Sequence, residues 1–194
     1  MVQFKRHSSS KIKKSNRRRK NNQKTSLSSF YRKTKEAIKK SKKEPLNKFD
    51  LISCVNSIPH FLGVFASDEL FKLSILKSPA FLIVNLDVSS QKGSHWIALR
   101  IGIRSIEIFD SLGFDPKFWN SYPSHLFRFL SGYSFTHKLI FSPILQPANT
   151  FTCGLYSIYY LRLRLKFDFN YCVRQFSSDL SVNNLKLYTL LLKK

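Results

Sequence analysis

Nine residues in the middle of the chain, AFLIVNLDV (Ala80–Val88), are apolar at all but two positions. The run is far shorter than the about 20 residues a membrane-crossing helix needs. Its β-branched and bulky side chains suit a central strand of a buried sheet. Two further strands, HWIALRIGI (His95–Ile103) and SIEIFD (Ser105–Asp110), follow with little more than a turn between them, and KLIFS (Lys138–Ser142) predicts a short fourth.

Helical patterns flank these strands. Leu51–Leu76 reads as a short helix, a loop carrying Pro59 and Gly63, and a second helix entered at Ser67 and Asp68. Pro116–Leu130 is partly helical, with Pro123 as an interruption. Cys153 to about Leu165 has helical spacing through Leu155, Ile158, Tyr159 and Arg162, and Asn183–Leu192 predicts a last helix. Strands clustered in the middle with helices before and after define an α+β domain.

Charge is distributed very unevenly. Residues 1–48 hold 18 Lys/Arg against 2 Asp/Glu, and the remaining chain holds 15 against 9. With so few large apolar residues, 1–48 is expected to be a disordered basic arm preceding a domain at 49–194. Lys11, Lys13, Lys14, Arg17, Arg18, Arg19 and Lys20 are dense enough to contact nucleic acid, through release of counterions from the phosphates. They would equally serve as a nuclear import signal, and the plainer reading is a solvated tail. No apolar stretch reaches membrane-spanning length, and no secretory signal is expected. Three widely spaced cysteines argue against a disulfide framework, and the spacings of zinc ligands are absent. A reducing compartment is expected.

One cysteine has an unusual setting. Cys153 follows a polar loop containing Pro147 and begins an apolar helix, where unpaired N–H groups and the helix dipole favour a thiolate. A cysteine nucleophile also needs a base, a group to orient it, and donors for an oxyanion. His95 begins one strand of the central pair and Asp110 ends the other. With a two-residue turn at Gly102-Ile103, Ile101 faces Arg104 and His95 lies opposite Asp110. Gln146 lies seven residues before Cys153 and can supply one oxyanion donor, the Cys153 N–H the other. Each residue alone has a plainer reading: a small buried cysteine, an edge histidine, a turn-capping acid. Asp87 and Asp115 are reserve candidates for the acid. His7, His60, His125 and His137 fit no catalytic position, and Cys54 and Cys172 read as buried small residues.

These residues occur in an order that resembles the adenovirus endopeptidase (adenain) family and its relatives in Polinton/Maverick elements and large DNA viruses, within the wider clan of SUMO-type proteases. PHFLGVF (Pro59–Phe65), GSHWIAL (Gly93–Leu99), IEIFDSLGF (Ile106–Phe114) and QPANTFTCGLY (Gln146–Tyr156) are similar to that family's successive motifs. The resemblance spans roughly residues 58–165. It implies a central mixed sheet with helices on both sides and the nucleophile at a helix N-terminus. It also implies His95 as general base, Asp110 as orienting acid, Gln146 as oxyanion donor, Cys153 as nucleophile and Trp96 lining the site.

The expected activity is a monomeric cysteine endopeptidase that processes capsid or virion precursor proteins in the virion and host nucleus. No cofactor is required for the chemistry; DNA bound by the arm would act as activator. The family's disulfide-linked activating peptide is not expected, because no cysteine lies between Trp96 and Thr152; a non-covalent activator would be compatible. The alternatives are a protease for SUMO or ubiquitin-like modifiers, which Asp110 followed by Ser111 resembles, and a non-catalytic DNA-packaging protein.

Overall fold

A computed structural model of the chain describes residues 28–75, 77–113 and 122–193. Five strands, β1 (Phe61–Ala66), β2 (Ala80–Asn85), β3 (Trp96–Ile101), β4 (Ser105–Phe109) and β5 (Lys138–Phe141), lie side by side in chain order. The inner pairs β2–β3 and β3–β4 are antiparallel, and the outer pairs β1–β2 and β4–β5 are parallel. The helices are α1 (residues 28–41), α2 (Lys48–Val55), α3 (Ser124–Ser134), α4 (Cys153–Leu163), α5 (Phe169–Arg174) and α6 (Asn183–Leu192). Short 3₁₀ segments occur at Ser67–Lys72 and Leu180–Val182.

All six residues of β2 are buried. On one face Phe81 and Ile83 join Trp96, Ala98 and Phe109 beneath α4; on the other Leu82 and Val84 join Ile97, Leu99, Ile106 and Ile108 beneath Leu126 and Leu130 of α3. A strand covered on both faces has no solvent side, and polar alternation disappears. The result is the α+β arrangement expected from the sequence, a mixed sheet between helices.

Several local expectations are corrected. Phe61–Ala66 is a strand rather than part of a loop. Its Gly63, with φ at 143°, sits where the pairing with β2 shifts register, and such a glycine breaks the strand pattern. Ser67–Lys72 is 3₁₀, not α-helical. The short α5, N-capped by Asp168, has too few turns to show periodicity.

The domain also begins earlier than residue 49. In α1, Phe30, Thr34, Ala37, Ile38 and Ser41 are buried, a helical stripe. The side chains of that stripe are mostly small and lie among lysines, so composition conceals it. Leu46 is 2% exposed, and its carbonyl accepts a 2.8 Å hydrogen bond from Trp96 Nε1. Asn47 caps α2, and Asp50 accepts from Lys40 at 2.7 Å, tying α1 to α2. Residues 1–27 lie outside the described part.

Helix α4 is buried from Cys153 through Leu161. Its far end is fixed by Glu107 of β4, whose carboxylate accepts from Arg164 Nε (2.7 Å) and Nη2 (2.9 Å), from Arg100 Nη1 (3.0 Å) and from the Tyr160 hydroxyl. Removing one partner from a buried charged network leaves the others uncompensated. Glu107→Ala is therefore expected to destabilise the fold by about 3–5 kcal/mol, measured by urea denaturation; a loss below about 1 kcal/mol would show that the network is dispensable.

Candidate active site

The site assembles where β3 begins and β4 ends, beside the start of α4. The β3–β4 turn differs from expectation. Ile101 faces Ile106, and the Gly102 N–H donates to Ser105 O at 2.8 Å, so the loop is Ile103-Arg104. Gly102 is accounted for by crowding, since a Cβ there would lie 3.0 Å from Arg100 Nη1 and 3.2 Å from Ser105 O. The pairing slips by two residues, and an even slip keeps every side chain on its own face. His95 thus becomes a diagonal rather than a direct neighbour of Asp110, still within reach of a long side chain. Its Nε2 lies 2.7 Å from Asp110 Oδ1.

Asp110 is 3% exposed and held from several sides. Its Oδ1 also accepts from the Leu112 N–H at 3.0 Å, and its Oδ2 accepts from the Tyr122 hydroxyl at 3.0 Å. The Ser142 hydroxyl accepts from the Asp110 N–H at 2.9 Å and donates to its carbonyl at 2.6 Å. Burial, followed by the neighbouring carboxylate, pushes the Tyr122 phenol far above its ordinary range, so Tyr122 stays a neutral donor. Neither Tyr122 nor Ser142 stands out in the sequence, because each approaches Asp110 from a separate segment.

The Cys153 thiol also acts on the imidazole. Burial pulls the His95 pKa down, but the bond to Asp110, then contact with the Cys153 thiol, outweighs it and lifts the value to about 9. Thr152 provides no side-chain cap to α4; its hydroxyl donates instead to Asn184 Oδ1 at 3.0 Å. The first-turn N–H groups and the positive end of the dipole are thus left to the thiol and to whatever binds beside it. Gly154 lets α4 start close against its neighbours: a Cβ would lie 3.0 Å from Leu51 Cδ2 and 3.3 Å from Leu46.

Gln146 is 2% exposed. The Thr150 carbonyl can only accept, so the amide turns Nε2 toward it at 2.9 Å, and Oε1 accepts from the Ser111 hydroxyl at 2.7 Å. One Nε2 hydrogen remains uncommitted by these bonds. The loop from Gln146 to Cys153 closes through Asn149 at φ 57°, a left-handed position that asparagine tolerates. Ser111 O accepts both the Leu145 and Gln146 N–H groups at 2.8 Å, while Leu145 O accepts from Asn183 and Tyr156.

A cleft of about 610 Å³ has Phe49, Phe65, Asn85, Gly93 and Trp96 in its walls. Gly93 adopts φ 91°, and a Cβ there would lie 2.5 Å from Asn85 Nδ2, which accounts for glycine before His95. Asp87 also borders this cleft; the His95 bond goes to Asp110. Asp115 and the cluster Lys11, Lys13, Lys14, Arg17, Arg18, Arg19 and Lys20 lie outside the described residues. Cys54 and Cys172 are buried and unpaired.

No family model matches the sequence, and no curated protein does. Among solved structures, the chain is similar to the ASFV pS273R protease, at 19% identity and a TM-score of 0.44 over 78% of this chain and 69% of that one. It is also similar to the SUMO protease Ulp1, solved with its catalytic cysteine oxidised to a sulfinic acid, at 19% identity and a TM-score of 0.41 over 78% and 80%.

A raised histidine pKa stabilises the fold fully below the unfolded value near 6.5, and that contribution is lost as pH rises through about 9. The His95 ring should titrate by NMR with a midpoint near 9, and Asp110→Asn should lower it. Correspondingly, the stability difference between wild type and Asp110→Asn should be largest below pH 6.5 and shrink through 9. A wild-type midpoint at or below 6.5 would contradict the buried imidazolium–carboxylate pair.

Proposed function

We propose that the chain is a cysteine endopeptidase. The observation that carries this reading is the buried 2.7 Å contact between His95 and Asp110, with the thiol of Cys153, at a helix start, also acting on the imidazole. The Cys153 sulfur attacks a peptide carbonyl carbon as His95 holds the thiol proton. The tetrahedral oxyanion accepts from the Cys153 N–H and the remaining Gln146 amide hydrogen. Collapse breaks the C–N bond, and His95 delivers its proton to the leaving amine. Water, deprotonated by His95, then attacks the thioester, releasing the acid and restoring the thiol. Asp110 keeps the ring oriented and balances its charge.

The motif resemblance supports viral capsid or virion precursors as substrates, cut in the virion and host nucleus by a monomer. The charge of residues 11–20 supports DNA binding, which would hold enzyme and substrates on one polyanion and raise their effective concentration. A modifier-specific protease is the second reading. It draws on Ser111, whose hydroxyl orients Gln146. Covalent labelling by ubiquitin-like aldehyde probes, with no cleavage of capsid precursors, would decide for it.

Cys153→Ala and His95→Ala should each lower cleavage of a precursor by about 10⁴ or more. Gln146→Ala should cost about 10²–10³, and Asp110→Asn should be milder than either triad deletion. Turnover near wild type in purified Cys153→Ala ends the assignment. Residues 1–27 hold ten Lys/Arg and no acid. Deleting them should leave short-peptide turnover intact and flatten the salt dependence of DNA binding, by about 0.9 log units per lost phosphate contact. An unchanged slope would move DNA binding onto the folded domain.

A further inference from the structure

At the opposite end of α4 from Cys153, a cavity of about 720 Å³ opens between α1, α4, α5 and α6. Arg162, Lys166 and Lys193 are in its lining, and no acidic side chain is. Arg162 is half-buried, with its guanidinium carbon 3.2 Å from the centre of the Phe30 ring. Among the described residues no carboxylate pairs with it; burial presses its pKa below the ordinary value, with only Tyr31 and Cys54 opposing. The contrast with Arg164, two residues on, is informative, since each nitrogen of that guanidinium donates to Glu107 or to Phe167 O. A partly desolvated guanidinium with its donors unspent favours an anion, and its planar fork fits a carboxylate in bidentate fashion.

We propose that this cavity binds a carboxylate carried on an aromatic or aliphatic body, as an acidic residue between aromatic residues presents in a peptide. Tyr31 and Tyr159 supply apolar surface beside the guanidinium. The volume falls within the about 300–1,000 Å³ range of sites for small ligands. A nucleic acid fits less well. It carries a charge at every nucleotide and stacks its bases on open ring faces, whereas Phe167 and Tyr171 are stacked on each other at 4.1 Å. Residues 1–27 contain no acid and cannot provide the carboxylate from a side chain.

The test is calorimetric titration of the full chain with acetyl-Phe-Asp-Phe-amide and with its Asn analogue. Wild type should bind the Asp peptide at least about ten-fold tighter, the scale of one hydrogen-bonded charge pair. Arg162→Met, which keeps an apolar stem over Phe30, should erase that preference. Lys166→Glu lies on the exposed rim, where it cannot disturb the core. It should weaken the Asp peptide several-fold at an unchanged melting temperature, and it decides the matter if Arg162→Met fails to fold. Equal affinity for the two peptides, an unaltered preference in a folded variant, or no wild-type binding at millimolar peptide would overturn the proposal. So would a short oligothymidylate that displaces the peptide at physiological salt.

Discussion

The Glu107 carboxylate lies between the sheet and α4 at 3% exposure, where an unpaired charge would cost several kcal/mol. It is tolerated because Arg100, Tyr160 and Arg164 converge on it from β3, α4 and the residue capping α4. Each of those bonds requires β3, β4 and α4 to be in register at once. Helix α4 therefore cannot slide along or rotate over the sheet without uncovering the charge. The stacking of Phe109 on Tyr160, 4.4 Å between ring centres, blocks the same rotation. Because α4 begins with Cys153 and β3 is preceded directly by His95, this clamp also sets Cys153 relative to His95. The site inherits its geometry from a contact at the far end of its own helix.

The loops that carry the other two groups are held by backbone hydrogen bonds. Ser111 serves both: its carbonyl receives the Leu145 and Gln146 N–H groups, and its hydroxyl donates to the Gln146 side chain. Because it directly follows Asp110, the Asp110 carboxylate and the Gln146 amide are held by adjacent residues. Asn183, completely buried, supports the arrangement from behind by donating to Leu145 O and Ser177 O. A substitution at Ser111 would disturb both loops.

The inner strands were legible in the sequence because their apolar runs have one structural explanation, burial on both faces. The contact between His95 and Asp110 was legible despite a wrong turn, since an error of two residues preserves the face each side chain occupies. Helix α1 was not legible: Thr34, Ala37 and Ser41 bury little apolar surface, and the surrounding lysines dominate any average over the segment. Tyr122, Ser142 and Asn183 were missed for a different reason. Their importance lies in partners about 12, 32 and 38 residues distant, and no local pattern marks a polar residue that will be satisfied only after folding. Strand β1 failed on Gly63, which marks a bulge once its neighbour β2 is known and a loop when it is not.

The three cysteines separate the account from its plainest rival, in which Cys153 is simply another small buried residue. Burial pushes the thiol of Cys54 up, and that of Cys172 up to about 12. Neither has an imidazole beside it. Iodoacetamide alkylation near neutral pH, followed residue by residue by peptide mass spectrometry in wild type and His95→Ala, compares all three within one protein. The account predicts that Cys153 reacts far faster than Cys54 and Cys172 in wild type and loses most of that advantage in His95→Ala. Comparable rates at the three cysteines in folded wild type, or a Cys153 rate indifferent to His95, would contradict it.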